Sequence, residues 1–238
     1  MGAVDSIIKK ADSKVQGMLE SVYEYNSSFP LSKKQKKLLE RVLFAISFID
    51  RKYFIEKNPY LDTALSIGKG QTISQPSTVA RMLLLAELSE SDDVLEVGSG
   101  SGWNASLIAY LVYPGSVVSI ERINSLKEKA KNNFSKLKNY LKKEKPEVYE
   151  KLSKVNFLTE NIFEKGSVWK KKYDKILLTA GIVPEQEAWI SDLADKLLKD
   201  KGVLICPYNL GPLLIFRKNG KIKKSLTREE YAFVPLLE

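Results

Sequence analysis

The sequence predicts an α/β fold: a doubly wound, mainly parallel sheet with an antiparallel C-terminal edge and an N-terminal helical extension. Three observations predict it. From Asp92 onward short apolar runs alternate with segments of helical periodicity, a glycine-rich turn joins the first such run to its helix, and Asn219-Gly220 separates two strand-like runs. Strand–helix alternation places helices on both faces of a parallel sheet, and an Asn-Gly pair between alternating runs is a hairpin signal.

The elements follow in chain order. Ile7, Ile8, Ala11, Val15, Met18, Leu19 and Val22 fall at helical spacing, which predicts one amphipathic helix within residues 1–30. Ser32 followed by Gln35 forms a capping box that opens a second helix at Lys33, running to about Ile49. Asn58-Pro59 marks a turn, and "SIGKGQTISQP", residues 66–76, reads as a loop ended by Pro76. The next helix carries Val79, Met82, Leu83 and Ala86 on one face. Strands are predicted at 94–97, 116–120, 155–158, 175–178 and 202–206, and helices at 104–111, 124–153 (broken at Pro146) and 185–198. The hairpin strands are 213–217 and 221–224, and 231–235 is expected to close the sheet. Residues 1–60 are expected to form the helical extension and residues 61–238 the α/β domain.

Composition excludes several chemistries. The 238 residues include no histidine, which removes every catalytic triad, imidazole base and His-ligated metal. One cysteine, Cys206, leaves no intrachain disulfide and no multi-cysteine zinc site, so no metal is expected; its apolar surroundings predict a buried structural thiol. No apolar run approaches a membrane span and no basic-then-apolar leader opens the chain, which predicts a cytoplasmic protein with no membrane partner. The net charge of +9 comes from lysines interleaved with glutamates. That pattern fits a solvated surface better than a nucleic-acid groove, which would cluster arginine with aromatics.

The stretch "VLEVGSGSGW", residues 94–103, holds the chemistry. A glycine-rich turn between strand and helix lets a ligand approach the backbone at the helix's positive end. The dinucleotide fingerprint G-x-G-x-x-G would need glycine where Trp103 stands. Glu96, two residues before Gly98, would repel a pyrophosphate by on the order of 1 kcal/mol at partial burial. S-adenosylmethionine carries an ammonium and a sulfonium and no phosphate, so the acid suits it. Glu121, nineteen residues past Gly102, ends the second strand where an acid accepts from ribose hydroxyls. The cofactor-binding candidates are therefore Glu96, Gly98, Ser99, Gly100, Gly102, Trp103, Glu121, Arg122, Glu160 and Asn161, the last two placed to reach an adenine. Glu96 could instead hold backbone amides of the loop, and Glu160 could be a capping or solvated acid.

Five blocks extend this reading: "IGKGQTISQPSTVARML" (67–83), "VLEVGSGSGW", "VVSIER" (117–122), "DKILLTAG" (174–181) and "YAFVPLL" (231–237). In this order they resemble the protein-L-isoaspartate (D-aspartate) O-methyltransferase family, from about residue 38 to the end. The resemblance implies a seven-stranded Rossmann-like methyltransferase sheet and methylation of the free carboxylate of L-isoaspartyl, and more weakly D-aspartyl, residues in damaged proteins. It implies Ser74 as the active-site serine, with Thr72, Ile73, Ser74 and Pro235 around the substrate. The family's Gly-Asp-Gly after the third strand is here Thr159-Glu160-Asn161, and the first 37 residues and 136–154 have no clear counterpart. The extra N-terminal helix could cover the site or make a subunit contact; both stay open. A carboxylate acceptor is already ionised at neutral pH and needs no general base, which suits a chain without histidine. The alternatives are an RNA methyltransferase built on the same cofactor domain and a non-catalytic methyltransferase-like binder.

Overall fold

The computed structural model describes residues 2–237. The chain opens with α1 (Ala3–Lys10), α2 (Ser13–Ser27) and α3 (Lys33–Phe48). The single helix expected within residues 1–30 is two: Ala11 is extended, and the Asp12 carboxylate accepts from the Lys14 amide to start α2 afresh. The Ser32/Gln35 capping box forms in both directions at the head of α3. The stretch expected to be a loop is a hairpin, β1 (Leu65–Gly68) with β2 (Gln71–Ile73), turned by positive φ at Gly68, Lys69 and Gly70. Pro76, compatible with a first helical turn, opens α4 (Pro76–Leu85), every residue of which is buried.

The alternating part runs β3 (Asp93–Val97), α5 (Trp103–Val112), β4 (Ser116–Glu121), α6 (Asn124–Glu144), α7 (Pro146–Lys151), β5 (Val155–Thr159), β6 (Tyr173–Leu178), α8 (Glu187–Leu197) and β7 (Leu198–Pro207). It ends with β8 (Leu210–Gly211), β9 (Leu213–Asn219), β10 (Lys221–Leu226) and β11 (Tyr231–Ala232). The seven-stranded sheet has the order β10-β9-β7-β6-β3-β4-β5. β5, β4, β3, β6 and β7 are parallel, and the β9–β10 hairpin adds the antiparallel edge. The segment expected to close the sheet does not join it: β11 pairs with β8 in a separate ribbon. Strand alternation splits the core in two. Val94, Val117 and Leu177 pack against α1–α7, while Leu95, Ile176 and Leu178 pack against α8. No described helix is long and apolar enough to cross a membrane.

From β3 the chain winds to β4 and β5, then returns to β6 on the other side, so the switch of direction lies between β3 and β6. Val97 pairs with Ile120 of β4 and with Leu178 of β6, which brings the carboxyl ends of all three strands to one level. Open α/β sheets bind ligands at that edge.

Arg51, in a short 3-10 turn after α3, ties the extension to this edge. Its side chain is fully buried, and its two terminal nitrogens donate to the carbonyls of Pro59, Leu61, Thr63 and Ser74, each at 3.0 Å. The guanidinium carbon also lies 5.2 Å from the centre of the Trp103 ring, whose Nε1 donates to the Ile49 carbonyl at 2.9 Å. Burial lowers the Arg51 pKa to about 10, with Asp62 opposing, so it stays charged at neutral pH. Removing it strands four carbonyls in the interior. Arg51→Met should lose about 3–5 kcal/mol in urea unfolding, whereas exposed Arg228→Met should change stability by under about 0.5 kcal/mol. Equal stability of the two variants would refute the assignment.

Candidate active site

Gly98 follows β3 with φ +102°, and a Cβ there would collide with Thr179 Oγ1. That contact spans the switch point, because Thr179 Oγ1 donates to the carbonyls of Val97 (3.1 Å) and Gly98 (2.7 Å). At the other end of the loop Gly102 has φ +88°, and a Cβ would lie 3.0 Å from the Ala130 carbonyl of α6. Thus glycine at 98 and 102 lets the loop lie flat between β6 and α6. Glycine is not needed at 103, where Trp103 opens α5 with its side chain turned inward and 1% exposed. Trp103 was expected among the cofactor-binding residues; its indole supports the loop from beneath, against Arg51 and Ile49.

The two acids of the loop are held in different ways. Glu121 holds the backbone: Oε2 accepts from the Gly100 amide and Oε1 from the Ile123 amide, both at 3.1 Å. A carboxylate has about four acceptor positions, so two remain for a ligand. Glu96 touches no amide of the loop. It is completely buried, accepting from Asn104 Nδ2 at 2.8 Å and from the Ser119 hydroxyl, which itself sits 2.6 Å from Ser99 Oγ. Burial pushes its pKa up to about 7 against those two hydrogen bonds, and Glu121 raises it further. No cation of the described residues contributes to holding it ionised.

Glu160 and Asn161, expected at an adenine, are partly engaged within their own loop. The Glu160 carboxylate caps the 3-10 turn Ser167–Lys170, taking the Ser167 amide and hydroxyl and the Val168 amide. Asn161 Oδ1 accepts from the Phe163 amide at 3.2 Å, which leaves its Nδ2 uncommitted.

These groups line one open cleft at the carboxyl edge of the sheet. One wall is the glycine loop with Glu96, Glu121 and exposed Arg122; the other holds Thr72, Ile73 and Ser74 of the hairpin and Pro235 near the C-terminus. Every expected cofactor- or substrate-contacting residue lines it except Gly102, which shapes the loop from below. The hydroxyls of Thr72 and Ser74 have no partner among the described residues, while the Ser74 carbonyl is held by Arg51. Residues 233–237 are laid across the cleft's edge: Gly181 donates to the Val234 carbonyl at 2.7 Å and accepts from the Leu236 amide at 2.6 Å. Arg51, Asn104 and Ser119 are site-forming residues that sequence reasoning missed, whereas Thr179 falls at the expected ligand edge, the carboxyl end of a parallel strand.

The chain matches the family model described as protein-L-isoaspartate(D-aspartate) O-methyltransferase (PCMT) over residues 29–238. It is 40% identical over 196 residues to the protein-L-isoaspartate O-methyltransferase of Pyrococcus horikoshii, covering 80% of this chain and 79% of that one. It is 34% identical over 238 residues to the enzyme of that name from Methanococcus aeolicus, covering 97% and 95%. Among solved structures, a Plasmodium falciparum protein assigned to the same activity, crystallised with S-adenosyl-L-homocysteine, superposes with a TM-score of 0.72 at 24% identity. That match covers 95% of this chain and 99% of the other, and it shows the shared fold.

The Glu96 environment sets a pH dependence. Its folded pKa of about 7 lies above the ordinary 4.5, so the folded protein binds this proton more tightly than the unfolded chain. The stability it contributes is fully present below about pH 4.5 and is lost as pH rises through about 7, in total on the order of 3 kcal/mol. Glu96→Gln keeps the shape without the charge, so its advantage over the parent in urea melts should grow from pH 5 to pH 8. A difference independent of pH would contradict this.

Proposed function

The chain belongs to the protein-L-isoaspartate(D-aspartate) O-methyltransferase family, and from that premise we propose how its residues divide the work. The activity is S-adenosylmethionine-dependent methylation of the free carboxylate of L-isoaspartyl and D-aspartyl residues in damaged proteins, the first step of their repair. One observation carries the assignment of the donor half. Glu96 and Glu121, 0% and 8% exposed, lie beneath the loop with no cation of the described residues paired to either. Such a cleft fits a cationic ligand and disfavours a pyrophosphate.

When bound, S-adenosylmethionine supplies an electrophilic methyl on a sulfonium. Glu96 would face the positive end of the donor and hold it as a carboxylate. Glu121 offers its two free acceptor positions to the ribose, while its amide bonds keep Gly100 in place. Asn161 Nδ2 meets the adenine edge, and Glu160 keeps that loop shaped by capping the turn behind it.

Thr72 and Ser74 hold the acceptor. Their uncommitted hydroxyls donate to the isoaspartyl carboxylate and orient it without neutralising it. A lysine or arginine at this place would bind the anion more tightly and blunt its nucleophilicity. No residue has to remove a proton, so rate comes from placing the two reacting centres in line. The loop after β6 favours a peptide over a nucleobase. Thr179 is committed to the Val97 and Gly98 carbonyls, and Ala180, Gly181 and Ile182 bring no acid or amide to orient a base.

Labelled methyl transfer to an isoaspartyl peptide, its aspartyl twin and bulk tRNA tests the reading. Signal confined to the isoaspartyl peptide is expected, and signal on tRNA alone would overturn it. Ser74→Ala should lower kcat/KM for the isoaspartyl peptide roughly 10- to 100-fold, the loss of one hydrogen bond to a charged group, with cofactor Kd unchanged. Unchanged turnover would remove Ser74 from the mechanism.

A further inference from the structure

The matched family span begins at residue 29, so α1 and α2 lie outside it. Yet α2 bonds, through two adjacent residues, to the chain shortly before the C-terminal segment of the cleft and shortly after the Thr72–Ser74 strand. The Tyr25 hydroxyl donates to the Tyr231 hydroxyl at 3.0 Å, and Tyr231 in turn donates to Glu229 Oε1 at 3.3 Å. Arg81 of α4 closes the cluster, its Nε 2.7 Å from the same Glu229 oxygen and its guanidinium carbon 4.2 Å from the ring centre of Phe29. Tyr231 begins the segment that runs on through Val234 and Pro235 along the cleft. The second contact is Asn26, completely buried, whose Nδ2 donates to the Ser77 carbonyl at 3.1 Å. Ser77 stands three residues past Ser74, and its amide and hydroxyl are held by Asp62.

We propose that α2 is a splint for the acceptor pocket, with Tyr25 and Asn26 as positioning residues that fix the C-terminal segment relative to the Thr72–Ser74 wall. Rigid support of this kind matters because the acceptor wall is built of short elements. β2 has three residues and β11 two, too few to hold a separation of walls unaided. The Tyr25–Tyr231 bond joins residues 206 positions apart. α2 is therefore built into the acceptor half of the site, and its loss should be felt by the acceptor and not by the donor. The proposal rests on the reading that residues 72–74 and 235 hold the isoaspartyl group.

The test uses the full chain with Tyr25→Phe, Tyr231→Phe and the double variant, each of which keeps the rings and removes only hydroxyls. Steady-state kinetics on an isoaspartyl peptide should show KM raised about fivefold, the scale of one hydrogen bond. The kcat and the S-adenosylmethionine Kd should stay within about twofold, because neither hydroxyl touches the donor half. Hydrogen exchange of the Phe233 and Leu236 amides should quicken in parallel, and the double variant should match Tyr231→Phe, which already removes the Tyr25–Tyr231 bond. Unchanged KM with a lowered Tm would make α2 a purely stabilising element and overturn the proposal, as would a fall in kcat alone. If the unsubstituted protein does not methylate the isoaspartyl peptide, the functional reading fails first and takes this one with it. That outcome is seen before any substitution is made.

Discussion

The guanidinium of Arg51 joins parts of the chain that no sheet or helix connects. Four carbonyls from an irregular stretch and from Ser74 converge on it, and its flat face covers the indole that opens α5. Five donors in a rigid fork suit this task, which the single ammonium of lysine cannot perform with the same geometry. Asp62 contributes its charge at longer range while capping the start of α4 through Ser77 and Gln75. The acceptor wall therefore stands at a set distance from the glycine loop because both lean on one buried cation.

The donor half uses the opposite charge by the same means. Glu96 is buried among the hydroxyl of Ser119 and the amide of Asn104, with no cation of the described residues to balance it. A buried acid without a partner costs stability, and groups of that kind concentrate at functional sites. In the proposed reading the donor supplies that positive charge. Glu121 differs because its two backbone bonds make it a structural part of the loop. Chemistry without histidine follows from this division: the acceptor arrives charged, the donor arrives charged, and the protein orients both.

Local signals account for much of the fold. The Ser32/Gln35 box, the strand–helix alternation and the Asn219-Gly220 turn each depend on residues within a few positions of one another, and each forms as the pattern predicts. Both halves of the site were also legible, because glycine spacing and the "GQTISQP" block are contiguous. What was hidden is long-range. Arg51 stands alone before Lys52 and Tyr53, and nothing nearby says that its partners lie 8 to 23 residues on. That the loop amides go to Glu121 and not to Glu96 depends on which carboxylate the loop folds over, a property of packing between strands. Trp103 reads as a substitution in a binding motif, yet its bulk fills the interior under Arg51. The break at Ala11–Asp12 was missed because the apolar spacing continues across it while the backbone does not.

The central claim is that a buried, cation-free acid awaits a positively charged donor, and proton release on binding tests it most directly. Titration calorimetry of S-adenosylmethionine near pH 7, in buffers of different ionisation enthalpy, counts the protons exchanged. Glu96, half protonated near its pKa of about 7 in the free protein, should ionise as the donor's charge arrives. The unsubstituted protein should then release about half a proton more than Glu96→Gln. Equal proton exchange in the two proteins would contradict the account.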